Sequence, residues 1–477
     1  MENHLSTAHK PSLAAMLQTR WALAALLILV IVVAAAIEPL AALAAAGGVL
    51  LLLGYCSRRD WLLGAVFVFL LFQNLVFERL LPVNSQLASG VKHADDFLTV
   101  LFVIALAVEA IFPAFRLGQI PQGRPMAAVV GICLLSGLYN HLAAKEIAIG
   151  SYVILKNFVW FFLAASIRLD DRGYRRVFHF LFVVLGALLA FSFFQLATGD
   201  LTYDLLGLYR DYRFGILRLR AIFIHPVYLA ESMALLGVLA VSAYVQFGKP
   251  SYLVVAVGAL IAVGLTMLAK TILALGLAVG FLLLRKRPWL IVPYAIGAAA
   301  AMFNFSQYGS ENIQHQVELY IESPQSTRRE AFRICGEILH DSPLLGVGPG
   351  MFGGYAAKVL GSPIPARYGF INYDGLEYST LDTHWPHLVA ELGLVGLLAY
   401  GWLLWAAGRA SWRLSSRPEL SPYVRTLSSA AAVFLLVMVI EAFAAANLED
   451  ALCGFMVFSM LGLTQGYSRT DCQSARS

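Results

Sequence analysis

The chain has 477 residues, of which 59% are hydrophobic and 13% are charged, and its mean hydropathy is +0.73. A soluble domain needs a polar surface, and this composition cannot supply one over most of the chain. The sequence therefore predicts an all-α polytopic membrane protein, with the lipid bilayer as its first partner. The net charge of +5 requires no nucleic acid, because most Lys and Arg fall in short loops between apolar runs.

In chain order, apolar runs of about 17 to 22 residues match the ~20 residues that a helix needs to cross a bilayer. They predict about fourteen transmembrane helices. The predicted helices begin near residues 21, 40, 61, 95, 126, 149, 176, 227, 251, 271, 288, 386, 427 and 450. One large, partly helical external loop is expected before the twelfth span.

These spans divide the chain into seven predicted segments. In order they are a cytoplasmic N-terminus 1–20, an N-terminal bundle 21–198, an external loop 199–226, spans eight to eleven 227–305, a large external loop 306–385, the C-terminal spans 386–467 and a cytoplasmic tail 468–477.

The distribution of basic residues orients the spans. If the spans simply alternate, nearly all Lys and Arg of the short loops fall on one side. The opposite short loops hold only Arg79, Lys92, Lys145 and Lys270. Cytoplasmic loops carry the excess of Lys and Arg, so both termini are expected in the cytoplasm.

The large loop contains a predicted helix that begins at Ser326 or Thr327. Its apolar face recurs with helical spacing at Ala331, Ile334, Cys335, Ile338 and Leu339. Arg328 and Arg329 fall in the first turn, where the helix dipole disfavours cations unless an anion lies beside them. Pro343 ends the helix, and the following GVGPG predicts a compact turn. It does not indicate a nucleotide loop, because no strand precedes it.

Two further segments place cations at the same predicted membrane face. Arg218 and Arg220 come just before the eighth span, which starts after His225, and Lys270 lies in the turn between spans nine and ten. Any one of these side chains is explained by snorkelling to the interface. A shared anionic ligand explains them together. The expected ligand is a lipid-linked diphosphate, which guanidinium groups bind bidentately.

The stretch LDTHWPHLVAELGLVG, residues 381–396, puts Asp382, His384 and His387 directly before the twelfth span. Asp382 and Thr383 are both favoured helix N-caps, so capping alone is one interpretation. A reactive group at the membrane edge is the other. His387 lies one helical turn deeper than His384, and this position taken alone favours a structural role.

Three ionisable residues lie inside predicted spans or at their ends, namely Glu109, Glu231 and Lys156. Buried charge is costly in a membrane and is often functional. Lys156 is close enough to an interface for snorkelling to explain it. The sequence assigns no role to the two glutamates.

Three blocks of the chain resemble the O-antigen ligase and Wzy-type polysaccharide polymerase superfamily of bacterial membrane glycosyltransferases. In order, they are RAIFIHPVYLAESMALL, STRREAFRICGEILHDSPLLGVGPGMF and DTHWPHLVAELGLVGLLAY. The likeness extends over residues 218–400, whereas the first seven spans agree in hydropathy only. It implies a bacterial inner-membrane protein in which the external loops 199–226 and 306–385 are periplasmic and the active site is on the periplasmic face.

Motif by motif, the resemblance also implies roles for individual residues. Arg220 is similar to the arginine of the first block, and Arg328, with Phe332 four residues on, to that of the loop helix. Lys270 lies where many members have Ser-Arg, so the positive charge is present but the planar guanidinium group of the arginine is replaced by an ammonium group. Glu391 is similar to the glutamate of the third block.

The chain departs from the family in that third block. Ligases of the family place a His, usually followed by Asn, nine residues before the glutamate. Here that position is Asp382, followed by Thr383, and the nearest histidine is His384. Asp382 and His384 therefore both stay candidates for the catalytic base. Polymerase-like members vary more at this position, which favours a polymerase over a ligase.

The activity implied by the resemblance is transfer of a glycan from an undecaprenyl-diphosphate carrier to a hydroxyl of an acceptor glycan. Cations would stabilise the leaving diphosphate, and a base would take the hydroxyl proton, worth about 10²–10⁴-fold. The expected substrate-binding residues are Arg218, Arg220, His225, Lys270, Arg328, Arg329, His387 and Glu391. No metal or cofactor is expected, because arginines can neutralise the diphosphate and the five cysteines lack ligand spacing. A chain-length regulator and other polysaccharide-assembly proteins are further expected partners.

Other functions remain open. An O-antigen ligase acting on lipid A core and a protein O-oligosaccharyltransferase share all three blocks and differ in the acceptor. A transporter of polysaccharide or lipid-linked sugar would predict inverted repeats, and the sequence contains none. A receptor or scaffold without chemistry leaves the cations unexplained.

Overall fold

The computed structural model of the chain describes residues 54, 59–80, 82, 85–111, 122–213, 216–290, 292, 327–370 and 383–474. The predicted spans near residues 21 and 40, most of the one near 288, and Asp382 lie outside these ranges. The chain divides into two units, Met1–Gln119 and Ile120–Ser477.

The first unit contains three described helices: α1 Arg59–Leu80, α2 Ser85–Lys92 and α3 Ala94–Ile111. The buried amide of Gln73 connects them. It donates to the carbonyl oxygen of Val91 at 3.0 Å and to Asp95 Oδ1 at 2.8 Å. A buried amide needs such partners, so Gln73 sets how α1 meets the start of α3.

The second unit is helical apart from one short antiparallel ribbon, in which Tyr212 pairs with Leu217 and Arg213 with Ile216. Its elements, in order, are α4 Gly123–Tyr139, α5 Ala144–Leu155, α6 Phe158–Ala165, α7 Asp171–Thr198, α8 Asp200–Leu206, β1 Tyr212–Arg213, β2 Ile216–Leu217, α9 Pro226–Phe247, α10 Pro250–Leu265, α11 Ala269–Lys286, a 3₁₀ helix Pro288–Leu290, α12 Thr327–Asp341, α13 Gly354–Leu360, α14 Ile364–Arg367, α15 His384–Ser415, α16 Pro422–Glu441 and α17 Ala451–Ser474.

Within the described ranges, five helices are long and apolar enough to cross a membrane: α1, α7, α9, α15 and α16. The bent pair α5–α6 makes a sixth if it counts as one span, and α4, α10 and the start of α17 are shorter apolar helices. The prediction of an all-α membrane protein agrees with this architecture. The count of fourteen spans and the loop topology stay predictions.

The span predicted from residue 149 is interrupted, because α5 and α6 meet at a bend of 61°. At the bend, the Asn157 amide donates to the carbonyl oxygens of Leu448 at 2.9 Å and Asp450 at 3.0 Å. Gly454 allows this approach, since a Cβ there would lie 2.2 Å from the amide nitrogen of Asn157. The bend depends on a contact with a distant part of the chain, which local periodicity cannot reveal.

Helix α9 is the most enclosed of the five span-length helices, because 83% of its 18-residue apolar stretch is buried. It packs against α7, α10, α11 and α16. Pro226 occupies its first turn, and the ring of His225 caps it by accepting from the backbone N–H of Val227 at 3.2 Å. The segment preceding α9 is thereby held at one end of the bundle.

The predicted loop helix is confirmed as α12, and its apolar face is buried at Ala331, Ile334 and Ile338. The predicted compact turn after it is also confirmed, since Gly346 and Gly348 have φ of +65° and +103°, a region that favours glycine. On the same helix, Glu330 pairs with Arg333.

This turn docks on a kink in α15. Gly393 has a φ of +65°, which interrupts the helix and frees the carbonyls before it. The backbone N–H of Val347 donates to the carbonyl oxygen of Ala390 at 3.0 Å, and that of Gly348 donates to the backbone carbonyl oxygen of Glu391 at 3.0 Å. The two backbones are so close that a Cβ on Gly393 would lie 2.3 Å from the backbone of Leu344.

Candidate functional site

A cavity of about 400 Å³ lies at the N-terminal end of α9. Its lining comes from the ribbon, α9, the α10–α11 turn, the first turn of α12 and the linker between α16 and α17. The volume falls within the roughly 300–1,000 Å³ that is usual for small-molecule sites. Of the described residues, four basic side chains line the cavity: Arg213, Arg218, Lys270 and Arg328.

Arg218 is held in place from two sides. Its Nε donates to the carbonyl oxygen of Thr266 at 2.9 Å, and its Nη1 donates to Asp211 Oδ2 at 2.7 Å. The neighbouring backbone N–H of Leu219 donates to the carbonyl oxygen of Leu265 at 3.1 Å, so the segment that carries Arg218 is bound to the end of α10. Burial lowers the pKa of the Arg218 guanidinium, and Asp211 opposes that effect.

Lys270 enters the cavity from the start of α11, after a tight turn in which Met267 has a φ of +56°. Arg213 closes over this turn by donating to the carbonyl oxygen of Met267 at 3.3 Å. Lys270 is half-buried, and within the part of the chain that the structure describes it forms no salt bridge or hydrogen bond. An ammonium group placed in this way is available to an anionic ligand.

The two arginines that begin α12 have different surroundings. Arg328 is half-buried and lines the cavity, whereas Arg329 is exposed and does not line it. One turn further on, Arg333 is neutralised by Glu330 and Glu337 on its own helix. Arg328 is therefore the member of this cluster that contributes charge to the cavity.

Arg220 is buried next to the cavity and is not part of its lining. Its Nη2 lies 3.2 Å from Asp211 Oδ2, the oxygen that also accepts from Arg218. Its Nη1 donates to the carbonyl oxygen of Ile224 at 2.6 Å, and its guanidinium lies 5.7 Å from the ring centre of Tyr209. In this conformation Arg220 orders the segment that carries Arg218 and His225, the latter a lining residue.

Among the described lining residues, the carboxylates are Asp450 and Glu231. Both oxygens of Asp450 are occupied. Oδ1 accepts from the backbone N–H groups of Leu452 at 3.0 Å and Cys453 at 3.1 Å, and Oδ2 accepts from the Tyr228 hydroxyl at 3.0 Å. Asp450 thus caps α17 and fixes the linker that closes the cavity.

The histidines of the third block lie behind the cavity, in a buried polar chain with Glu449. His384 Nδ1 is 2.7 Å and His387 Nδ1 is 3.0 Å from Glu449 Oε1, and His387 Nε2 is 2.9 Å from Glu391 Oε1. Neither histidine lines the cavity. Burial raises the pKa of Glu449, but His387 and His384 lower it more, so that it lies below its ordinary value.

Glu391 anchors the glycine-rich turn. Its Oε2 accepts from the backbone N–H of Gly350 at 2.7 Å, and its Oε1 accepts from that of Phe352 at 3.1 Å. The side chain is buried and does not reach the cavity. Its observed partners are the turn and His387, so the geometry gives it a structural role.

Of the residues predicted from the sequence, Arg218, His225, Lys270 and Arg328 meet in one cavity. The remaining described ones lie beside it, behind it or on the surface. Asp382 lies outside the described residues. Sequence reasoning missed Asp450 and Glu449, although the acidic pair Glu449-Asp450 directly before an apolar run was a usable signal.

No three His, Cys, Asp or Glu side chains of the described chain are grouped so as to hold a metal ion, and metal independence stays a prediction. In comparisons with known proteins, no protein-family model matches the chain. No curated protein matches it either. The resemblance to the O-antigen ligase and Wzy-type superfamily therefore depends on the three sequence blocks alone.

Proposed function

We propose that the chain is a bacterial surface polysaccharide polymerase of the inner membrane. It transfers a glycan from an undecaprenyl-diphosphate carrier to a hydroxyl of an acceptor glycan at the periplasmic face, without a metal. The observation that carries the proposal is the convergence of four cations from three separate segments on one cavity. Among the described lining residues these cations outnumber the two carboxylates, Asp450 and Glu231, and an anionic ligand complements the excess positive charge.

The cationic side chains of the cavity suit glycosyl transfer from a diphosphate. A glycosyl diphosphate already carries a good leaving group, so the main requirement is to stabilise negative charge as the bond from the anomeric carbon breaks. Arg218 and Arg328 supply forked donors that match phosphate oxygens, and Lys270 supplies a mobile point charge. Arg220 supports the cluster through Asp211, which it shares with Arg218.

The acceptor hydroxyl must also lose a proton. The resemblance assigns this step to Asp382 or His384. His384 has its Nδ1 on Glu449, and its Nε2 has no hydrogen-bond partner among the described residues. A carboxylate beside Nδ1 favours the tautomer in which Nε2 carries no proton, which is the form a base requires, but His384 is fully buried and does not line the cavity.

Two other functions share this site chemistry. A ligase that transfers glycan to lipid A core, or a protein O-oligosaccharyltransferase, would use the same diphosphate cavity with a different acceptor. A transporter of polysaccharide or lipid-linked sugar would bind the diphosphate without breaking it.

Gene deletion followed by gel analysis of cell polysaccharide separates these functions. Loss of long chains with single repeat units retained supports a polymerase. Long chains that stay unattached to lipid A core indicate a ligase, and unchanged glycan with altered solute uptake indicates a transporter.

Complementation of the deletion strain tests the cavity itself. Lys270→Ala should abolish or strongly reduce long-chain glycan while the protein accumulates normally, because Lys270 has no described structural partner. Lys145→Ala is the matched control, since Lys145 is predicted on the same face, is exposed and does not line the cavity. Equal glycan from both variants would refute the diphosphate site.

A further inference from the structure

Glu231 is a buried carboxylate of α9 that lines the cationic cavity. It is the sixth residue of the helix, which places it about 8 Å along the axis from the first residue. Glu231 therefore lies at the same end of the bundle as Arg218, Lys270 and Arg328, which line the same cavity. Its presence in a predicted span was unexplained by the sequence.

Its two oxygens differ. Oε2 is contacted by the thiol of Cys453, whereas Oε1 is buried and has no hydrogen-bond partner in the described part of the chain. A buried carboxylate oxygen without a donor is costly, and native structures keep such groups where a ligand or a reaction uses them. The other lining carboxylate, Asp450, has both oxygens engaged and cannot serve in the same way.

The surroundings of Glu231 suit transient proton transfer. Three charged side chains lie near Glu231 on other elements, namely Lys270 of α11, Glu441 of α16 and Asp450 before α17. Cys453 contacts it directly. A carboxylate held between these opposing charges, beside a cavity for an anionic leaving group, can accept a proton and release it again.

We infer that Glu231 is the general base of the proposed glycosyl transfer, a conclusion that depends on that proposed function. The acceptor hydroxyl oxygen forms a bond to the anomeric carbon of the donor glycan, and the bond from that carbon to the diphosphate breaks. The diphosphate leaves with the electron pair, held by Arg218, Lys270 and Arg328. The hydroxyl proton passes to Glu231 and then to solvent.

The test compares Glu231→Gln, Glu231→Asp and Glu441→Gln. Glu441 is a matched control, because it is a buried carboxylate with one unpartnered oxygen among described residues and does not line the cavity. Binding is measured with purified protein and undecaprenyl diphosphate. Turnover is measured as growth of polysaccharide chains in native membrane vesicles that supply their own lipid-linked repeat units.

Glu231→Gln should bind undecaprenyl diphosphate as wild type does, while turnover falls about 10²–10⁴-fold. A general base makes the wild-type rate rise with pH as it loses its proton, and Glu231→Gln should lack this rise. Glu231→Asp, which keeps the carboxylate, should retain part of the turnover, and Glu441→Gln should retain turnover.

Wild-type turnover in Glu231→Gln, or equal turnover in the Gln and Asp variants, would overturn the assignment while leaving the proposed function intact. If His384→Gln instead loses turnover and Glu231→Gln does not, the base is His384. Failure of the wild-type vesicles to extend chains at all would overturn the proposed function and this inference with it.

Discussion

Replacement of Glu391 by alanine separates an anchoring role from a substrate-binding role. The substitution removes the acceptor for the backbone N–H groups of Gly350 and Phe352, at 2.7 and 3.1 Å, and the partner of His387 at 2.9 Å. Each buried donor left unpaired costs about 1–3 kcal/mol. The glycine-rich turn should therefore lose about 3–5 kcal/mol of local stability, as for a broken buried ion pair.

Hydrogen–deuterium exchange of residues 343–352 in detergent, without any lipid-linked glycan, measures this loss. A cost of about 3–5 kcal/mol corresponds to exchange that is faster by roughly 150-fold to 5,000-fold. Glu337→Ala is the control, because Glu337 is an acidic side chain of α12 that is 47% exposed and pairs only with Arg333 in the described structure. It should change exchange of the turn little.

The outcome that refutes the reasoning is specific. If exchange of the turn is unchanged in Glu391→Ala while long-chain glycan is lost, the carboxylate acts on substrate and the anchoring argument is wrong. Glu391→Gln, which keeps one acceptor oxygen, should give an intermediate exchange rate.

Four further predictions follow from the described contacts. Arg328→Ala should weaken undecaprenyl diphosphate binding about 10- to 100-fold, as expected for one charge-assisted hydrogen bond, whereas Arg329→Ala should not; equal effects in a binding titration would contradict the cavity assignment. Gly350→Ala should destabilise the protein by at least about 1–3 kcal/mol, because its φ is +77° and the new Cβ would lie 2.7 Å from a backbone atom; wild-type thermal unfolding would count against this close packing. Gly336→Ala should stabilise α12 by about 0.5–1 kcal/mol, since nothing lies within 4 Å of its Cβ; lower unfolding temperature would exclude the expected gain. The lowered pKa of Glu449 means that its contribution to stability is present above its ordinary value of 4.5 and is lost as pH falls through the folded-state pKa. In Glu449→Gln, the free energy of unfolding should therefore fall less steeply as the pH is lowered below about 4.5. The same acid dependence as in the wild type would show that the histidine contacts do not lower this pKa.

The membrane class was determined by the sequence alone, because hydropathy and helix length are local properties of the chain. The same holds for the starts of α1, α7, α9, α15 and α16, which lie within a few residues of the predicted spans. Helix α12 and the turn after it were also predictable. Their signals are helical apolar spacing, a proline and glycines that tolerate positive φ.

Which cations share a site was decided by the tertiary structure. Arg218, Lys270 and Arg328 are far apart in the chain, and their spacing does not reveal that α9, α11 and α12 bring them to one cavity. The same fold separates neighbours, since Arg329 is exposed next to Arg328 and Arg220 lies beside the cavity rather than in its lining.

The histidine block shows the physical reason most clearly. From the sequence, His384 and His387 are two polar residues at a membrane edge, and either capping or chemistry explains them. In the folded chain, both imidazole rings form hydrogen bonds to the carboxylate of Glu449, which lies more than 60 residues away in the sequence. The deeper ring, that of His387, also forms one to the carboxylate of Glu391. Residue type sets what a side chain can do, but its partners and its access to a cavity depend on distant segments that only the fold brings together.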